Sequence, residues 1–310
     1  MDSRIESTVN TRYIKNNKLR IKVTNRCNMN CWFCHAEGSP GSEDVVLNAA
    51  LYDAIDTFKS VFQYAHITGG EPFQYPHLFE LIELLSSHTY KLAITSNGLF
   101  VFNDYTLRIL ERIEYINISF HSLQSDYYSS LAHSNAGSSI VDQIANNIQN
   151  LISILPVRIN TVVTGDGELQ HLNDMIHFAA NIGCELKFVP ELRTKELSIK
   201  AIEQILSVNG YKLYEKIRIS PSSNLRERYI NQAGHIIEVK KLSPCFPDIL
   251  CGGCDLVNQC NEGFSFLRLG GNPLYCQTCI KKSPIPYTEF IRAQWKQYKE
   301  EFDNASFYCE

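Results

Sequence analysis

The sequence contains no run of about 18 apolar residues, so no segment reads as a membrane span. Its opening stretch, "MDSRIESTVNTRYIKNNKLR", has none of the apolar character a secretory signal needs. Neither sign of charge is in excess. A net charge of −4 over 310 residues gives no footing for nucleic acid or an anionic membrane surface. There is no internal repeat and no low-complexity tract. These absences lead to the expectation of a cytoplasmic, reducing location with no membrane or nucleic-acid partner.

Cysteine is plentiful. The chain has 11, and in a reducing compartment clustered cysteines more often bind metal or do redox chemistry than form a disulfide framework. They fall into two groups. Cys27, Cys31 and Cys34 form one; Cys245, Cys251, Cys254, Cys260, Cys276 and Cys279 form the other; Cys184 and Cys309 stand apart. The first group, in "VTNRCNMNCWFCHAEG", has the spacing C-x3-C-x2-C with no fourth cysteine nearby. Three thiolates can hold three irons of a [4Fe–4S] cube and leave one corner open. An open coordination site marks substrate or cofactor binding, whereas structural metal sites are closed. The alternative is a zinc site completed by a distant ligand such as His35.

Between the two groups, apolar strand-like runs alternate with helical patterns. Strands are expected at Leu19–Thr24, Ala65–Thr68, Lys91–Thr95, Tyr115–Phe120, Val157–Val163 and Glu185–Val189. Helices are expected at Leu47–Phe62, His77–Ser86, Asp104–Ile113, Ser139–Ile154 and Leu169–Asn181. Six such units predict parallel βα connections and a partly closed barrel, whose ligand site lies at the carboxyl ends of the strands. The cysteine loop, "TGGEP", "SNG" and "HS" follow the first four strands, so all converge on one rim. The alternation stops near residue 195. The expected organisation is an N-terminal extension (1–17), an α/β partial (β/α)6 barrel (18–200) and a small cysteine-rich C-terminal domain (201–310).

"CNMNCWFC" followed by "GGEP" resembles the radical S-adenosylmethionine (SAM) superfamily. The resemblance implies a [4Fe–4S] cluster on Cys27, Cys31 and Cys34, with SAM on the open iron. One electron from a flavodoxin or ferredoxin then cleaves SAM to a 5′-deoxyadenosyl radical that takes hydrogen from a substrate. It also implies SAM contacts at Phe33, Gly69, Gly70, Glu71, Ser96, Asn97, Ser119 and Arg158. Glycine at positions 69 and 70 permits a close backbone approach; a plain strand-to-helix turn, and helix caps at Ser96 and Asn97, are the bland alternatives. His121 stands where many relatives carry an acidic residue. It reads as a substrate contact or as a satisfied rim histidine.

In the second group, Cys260 and Cys276 flank "FSFLRLGGNPLY", which reads as a β-hairpin. The arrangement resembles the Twitch and SPASM auxiliary-cluster modules, and implies a second [4Fe–4S] cluster on Cys251, Cys254, Cys260 and Cys276, with Cys245 and Cys279 as spares or replacements for members of that set. A zinc ribbon is the alternative. Cys184 is expected to be a buried core residue, and Cys309 a mobile thiol or a late hydrogen-atom donor.

Over most of its length the chain resembles the GTP 3′,8-cyclase branch of molybdenum-cofactor biosynthesis, in "YIKNNKLRIKVTNRCNMNCWFC", "HITGGEP", "INISFHSL" and "FLRLGGNPLYC". It departs from that branch in auxiliary-cysteine spacing, in ending "NASFYCE" without a Gly-Gly tail, and in having only Arg268 of the expected arginines in "FLRLGG". Arg193, Lys195, Arg226 and Arg228 are further candidates for phosphate contact. The expected function is hydrogen abstraction from a peptide or small molecule in natural-product or cofactor biosynthesis. GTP cyclisation is the alternative, and a non-catalytic metal scaffold a second. Because few residues precede the first strand, a peptide substrate would call for a small separate peptide-binding partner.

Overall fold

The computed structural model describes residues 9–34, 43–132, 138–165, 169–260 and 262–304. His35 and Cys309 lie outside these residues.

All six expected parallel strands form: β2 (Lys18–Lys22), β3 (Tyr64–Thr68), β4 (Lys91–Ser96), β5 (Tyr115–Ser119), β6 (Val157–Val163) and β7 (Glu185–Pro190). They lie side by side in chain order, every pair parallel. The helices between them are α1 (Ala49–Lys59), α2 (Leu78–Ser87), α3 (Asp104–Leu110), α4 (Ser125–Ala132), α5 (Ser138–Leu151) and α6 (Leu169–Asn181). Asn48 caps α1 by accepting from the N–H groups of Ala50 and Leu51. Below that cap, Leu51, Ala54, Ile55 and Phe58 recur at helical spacing and bury one face against the sheet. In β6 the alternation does the same: Val157, Ile159, Thr161 and Val163 are buried, while Arg158, Asn160 and Val162 look the other way.

Past residue 195 the parallel units end, but the sheet continues. Helix α7 (Lys195–Val208) leads into an antiparallel meander of β8 (Lys212–Ser220), β9 (Asn224–Ile230) and β10 (Ile236–Leu242), and β10 adds in parallel to β7. At the far end, β1 (Asn10–Lys15) pairs with β8. The expected hairpin is present as β11 (Leu267–Gly270) and β12 (Tyr275–Gln277), and β11 adds in parallel to β2. With β13 (Ile285–Pro286) this makes a 13-stranded sheet, in the order β1-β8-β9-β10-β7-β6-β5-β4-β3-β2-β11-β12-β13.

Curling of this sheet into a half-barrel follows from its charges. Lys18 on β2 interacts with Arg158 on β6 and Arg226 on β9, strands that are not its neighbours in the sheet. Only a concave inner face brings them together.

The C-terminal helices α8 (Asp248–Cys251), α9 (Tyr287–Ala293) and α10 (Trp295–Asn304) complete the chain. Phe58 of α1 packs edge-on against Tyr287, Phe290 and Trp295, which fastens the cysteine-rich segment to the barrel's helical layer. None of the described helices is long and apolar enough to cross a membrane.

Candidate active site

The loop carrying Cys27, Cys31 and Cys34 leaves the carboxyl end of β2 and is held from two sides. From below, the turn after β3 is zipped to its entry: Gly70 N–H donates to the Thr24 carbonyl at 2.7 Å, and Glu71 N–H to the Arg26 carbonyl at 2.7 Å. A Cβ on Gly69 would lie 2.8 Å from the Thr24 oxygen, and one on Gly70 would run into the Arg26 carbonyl. The close approach these glycines permit is therefore to the protein's own cysteine loop. From the side, the N–H groups of Asn30 and Trp32 donate to the carbonyls of Ala132 and Leu131 at the end of α4.

Glu71 is fully buried. One carboxylate oxygen accepts from Phe73 N–H (3.1 Å) and the Ser96 hydroxyl (2.9 Å), the other from Asn97 N–H (2.7 Å). Burial pushes its pKa up to about 7, against the pull of those three donors. Glu71 and Ser96 thus lock the turn after β3 to the end of β4. Asn97 carries this frame to the cysteines: its amide donates to the Asn28 side chain (2.6 Å) and to Cys27 Sγ (3.8 Å).

Cys27 and Cys34 are exposed and Cys31 is half-buried against the core. Burial, with Cys34 and Cys27 acting in the same direction, raises the Cys31 thiol to about 12. Cys27 is raised by burial and, less strongly, by Glu71 and Cys34. The three thiols therefore sense one another, and a bound cation is what such a group needs to ionise.

Phe33 and Ser119 sit beside this loop and at the end of β5. Phe33 meets the His121 ring edge-on at 5.0 Å. His121 is buried, and burial pushes its pKa down to about 4. Its Nδ1 accepts the Val162 N–H at 3.2 Å, so the neutral ring carries its proton on Nε2.

Arg158 does not belong with these residues. It lies at the amino end of β6, opposite the rim, where its guanidinium pairs with Glu185 at 3.1 Å and stacks over Tyr115. The expectation that it reaches the cysteine-loop rim is corrected accordingly: a residue second in a seven-residue strand sits roughly 15 Å below the strand's end.

The second cysteine group also differs from its expected composition. Cys251 is pushed up to about 11 by burial and by Cys279, Cys254 and Cys260. These four line one small apolar-walled cavity. Backbone N–H groups point at two of the sulfurs, Gly263 to Cys260 and Lys281 to Cys279, each at 3.3 Å. Met29 N–H does the same for Cys27 at 3.4 Å. Cys276 is elsewhere. It is fully buried on β12, near Tyr287 and Tyr298, and burial alone raises its thiol. The strand that carries Cys276 turns its side chain into the core, whereas Cys279, beyond the strand's end, faces the cavity with Cys251, Cys254 and Cys260. Cys245 is buried and disulfide-bonded, and Cys184 is buried as expected.

Among the described residues, no three or more His, Cys, Asp and Glu side chains close on a point as a single-ion site would. An iron–sulfur cube takes its thiolates at separate corners. Two groups of mutually interacting thiols, one of three and one of four, suit that donor chemistry.

Two features were not legible in the sequence. The first is a cavity of about 860 Å³ lined by Leu192, Arg193, Thr194, Leu256, Cys260 and Lys281, among others. Arg193 also donates to the Trp32 carbonyl (3.2 Å) and lies over the Trp32 ring. The cavity therefore has the first cysteine loop at one end and the second group at the other. The second feature is the charge inside the half-barrel. Lys18, Arg20, Arg158, Lys187 and Arg226 interact there with Glu185 and Glu238, and Arg228 and Glu215 pair on the same face. Glu238 takes Lys187 (2.6 Å) and Arg226 (3.5 Å), and Glu185 takes Arg158. Arg268 adjoins Arg20 in register. Burial and its cationic neighbours lower Lys18 to about 7.

The chain is similar to proteins named "Probable GTP 3',8-cyclase". That of Saccharolobus islandicus (strain L.S.2.15 / Lassen #1) is 27% identical over 259 residues, covering 79% of this chain and 80% of the relative. That of Pyrococcus abyssi is 23% identical over 262 residues, covering 79% and 82%. Among solved structures, Streptococcus suis SuiB bound to precursor peptide SuiA superposes with a TM-score of 0.52 at 17% identity, over 66% of this chain and 49% of SuiB. SuiB bound to S-adenosylmethionine gives 0.50 at 17% identity, over 67% and 51%. The chain thus spans about half the length of SuiB, and the likeness is one of fold. The family model of the radical SAM superfamily matches residues 21–179, the span from β2 through most of α6. With three grouped thiols at the carboxyl rim of a parallel half-barrel, the chain belongs to the radical SAM superfamily of enzymes.

Proposed function

We propose that this enzyme abstracts hydrogen from a phosphate-bearing small molecule of the nucleotide class, held between two iron–sulfur centres. The observation that carries the reading is the cationic interior: Lys18, Arg20, Arg158, Lys187, Arg226 and Arg228 outnumber the carboxylates Glu185, Glu215 and Glu238 that they meet there. An excess of partly desolvated Lys and Arg is what recognition of a polyphosphate requires. The GTP 3′,8-cyclase relatives support the same substrate class.

Cys27, Cys31 and Cys34 hold the first cluster in this reading. When bound there, a [4Fe–4S] cluster with SAM supplies one electron that breaks the sulfonium bond and yields a hydrogen-abstracting 5′-deoxyadenosyl radical. Asn97, Ser119, Phe33 and the Gly69–Gly70 turn border the place for SAM. Glu71 and Ser96 act as positioning residues, because their polar atoms are spent on holding strand ends together. Cys251, Cys254, Cys260 and Cys279 hold the second centre. A flavodoxin or ferredoxin delivers the electron.

Calorimetry on the anaerobic holoenzyme tests the substrate class. A nucleoside triphosphate should bind at least tenfold more tightly than its nucleoside, and raised salt should erode the difference. Equal affinities would contradict the reading.

A second reading, modification of a peptide, is favoured by the large cavity, which is edged by Leu192, Leu197 and Leu256, each 42–56% exposed. It predicts binding of an apolar peptide that Leu197→Asp weakens while nucleotide binding is unchanged.

A further inference from the structure

Two buried tyrosine hydroxyls, those of Tyr298 and Tyr128, find no hydrogen-bond partner among the described residues. Tyr298 sits in the aromatic packing around α10. Tyr128 sits at the active site. It lies on α4, three and four residues before the Leu131 and Ala132 carbonyls that hold the cysteine loop. Residues at that spacing share one helix face, so the Tyr128 ring is placed under the same loop. Its hydroxyl senses Cys31 most strongly among charged groups, then Cys27.

The ring cannot turn away to find water. It is 1% exposed, stacked on His121 at 5.9 Å and tilted against Phe120 at 5.9 Å. A buried hydroxyl with no partner is destabilising, and no group among the described residues offsets that. A tyrosine hydroxyl is protonated at neutral pH. It is therefore a fixed donor in search of an acceptor.

We infer that the Tyr128 hydroxyl donates a hydrogen bond to a sulfide of the iron–sulfur cluster on Cys27, Cys31 and Cys34, and so raises the cluster's reduction potential. The inference rests on the first-cluster assignment above. A donor to a cluster sulfur stabilises the electron-rich reduced form, one of the protein's main levers on potential. The His121 ring, wedged between Phe33 and Tyr128, fixes the donor relative to the loop.

Tyr128→Phe keeps the ring and removes only the oxygen. Iron and sulfide are counted first in wild type and variant, so failure of the cluster assignment shows as missing iron in wild type and is separate from failure of this inference. In an EPR-monitored redox titration of the holoenzyme, the signal that SAM perturbs identifies this cluster. At fixed potential its reduced-to-oxidised ratio should fall about fivefold in Tyr128→Phe, the equivalent of one hydrogen bond of about 1 kcal/mol. An unchanged ratio at full iron content would overturn the inference. Should the variant fail to load iron, ring-fluorinated tyrosine at position 128 decides. As a stronger donor of nearly the same shape, it should raise the ratio; no change would overturn the inference. ENDOR in D2O should also show an exchangeable deuteron coupled to this cluster in wild type that Tyr128→Phe lacks, apart from those of Met29 and Asn97 at Cys27, and identical spectra would count equally against it.

Discussion

The buried Glu71 carboxylate receives the Ser96 hydroxyl at 2.9 Å and, on its other oxygen, the Asn97 N–H at 2.7 Å, which joins the strand end before SAM's expected place to the strand end beside Cys27. Glu71→Ala strands three donors and should cost about 2–3 kcal/mol of stability in denaturant titration. The pH dependence has a definite sign. Its folded pKa of about 7 stands above the ordinary 4.5, so the folded state holds a proton the unfolded state has lost. This group's contribution to stability falls as pH rises from about 4.5 to about 7 and is flat above. Glu71→Gln should remove that slope.

Gly70 faces the Arg26 backbone so closely that no side chain fits. Gly70→Ala must move the cysteine loop, because the obstacle is main chain and not a flexible side-chain tip. We expect iron on the first cluster and SAM binding to fall together by more than tenfold, with circular dichroism close to wild type. Normal SAM affinity in Gly70→Ala would show that the zipped turn is not needed.

Cys279 and Cys276 separate cleanly by experiment. Cys279→Ala should lose about four irons, those of one cube, and Cys276→Ala should keep them. Truncating the buried Cys276 thiol should instead lower stability by about 1–2 kcal/mol. The reverse pattern of iron loss would restore Cys276 to the ligand set.

Lys18 ties substrate affinity to pH. With its pKa lowered to about 7, it loses its charge just where an anionic substrate would need it. Triphosphate affinity should decline as pH rises from about 7 toward 9, because binding then takes up a proton. Lys18→Met should bind more weakly at pH 6.5 and show a flatter profile.

Much of this was legible beforehand, and the exceptions have physical causes. The six parallel strands stand out because buried strands and amphipathic helices carry strong, different periods. The triad Cys27, Cys31 and Cys34 is local in sequence, so its spacing alone suffices. Spacing alone does not tell that Cys279 shares a cavity with Cys251, Cys254 and Cys260 while Cys276 is buried, because the direction of a side chain at a strand's end depends on where the ladder stops. The meander β8–β10 alternates charges such as Glu215, Arg226, Arg228 and Glu238, which pair across the inner face, so its inward side carries no apolar period. Lys18 and Arg226 become neighbours only through the curl of the sheet. Tyr128 lies in the short, serine-rich helix α4, which gives little helical signal.

The central claim is tested most directly by isotope transfer. The reconstituted enzyme is incubated anaerobically with SAM, reductant and a ribose-deuterated nucleoside triphosphate, and the 5′-deoxyadenosine formed is examined by mass spectrometry. The account predicts deuterium in 5′-deoxyadenosine, lost in Cys31→Ala and reduced at least tenfold in Lys18→Met/Arg226→Met. Formation of 5′-deoxyadenosine that never acquires deuterium from any phosphorylated nucleotide would contradict it.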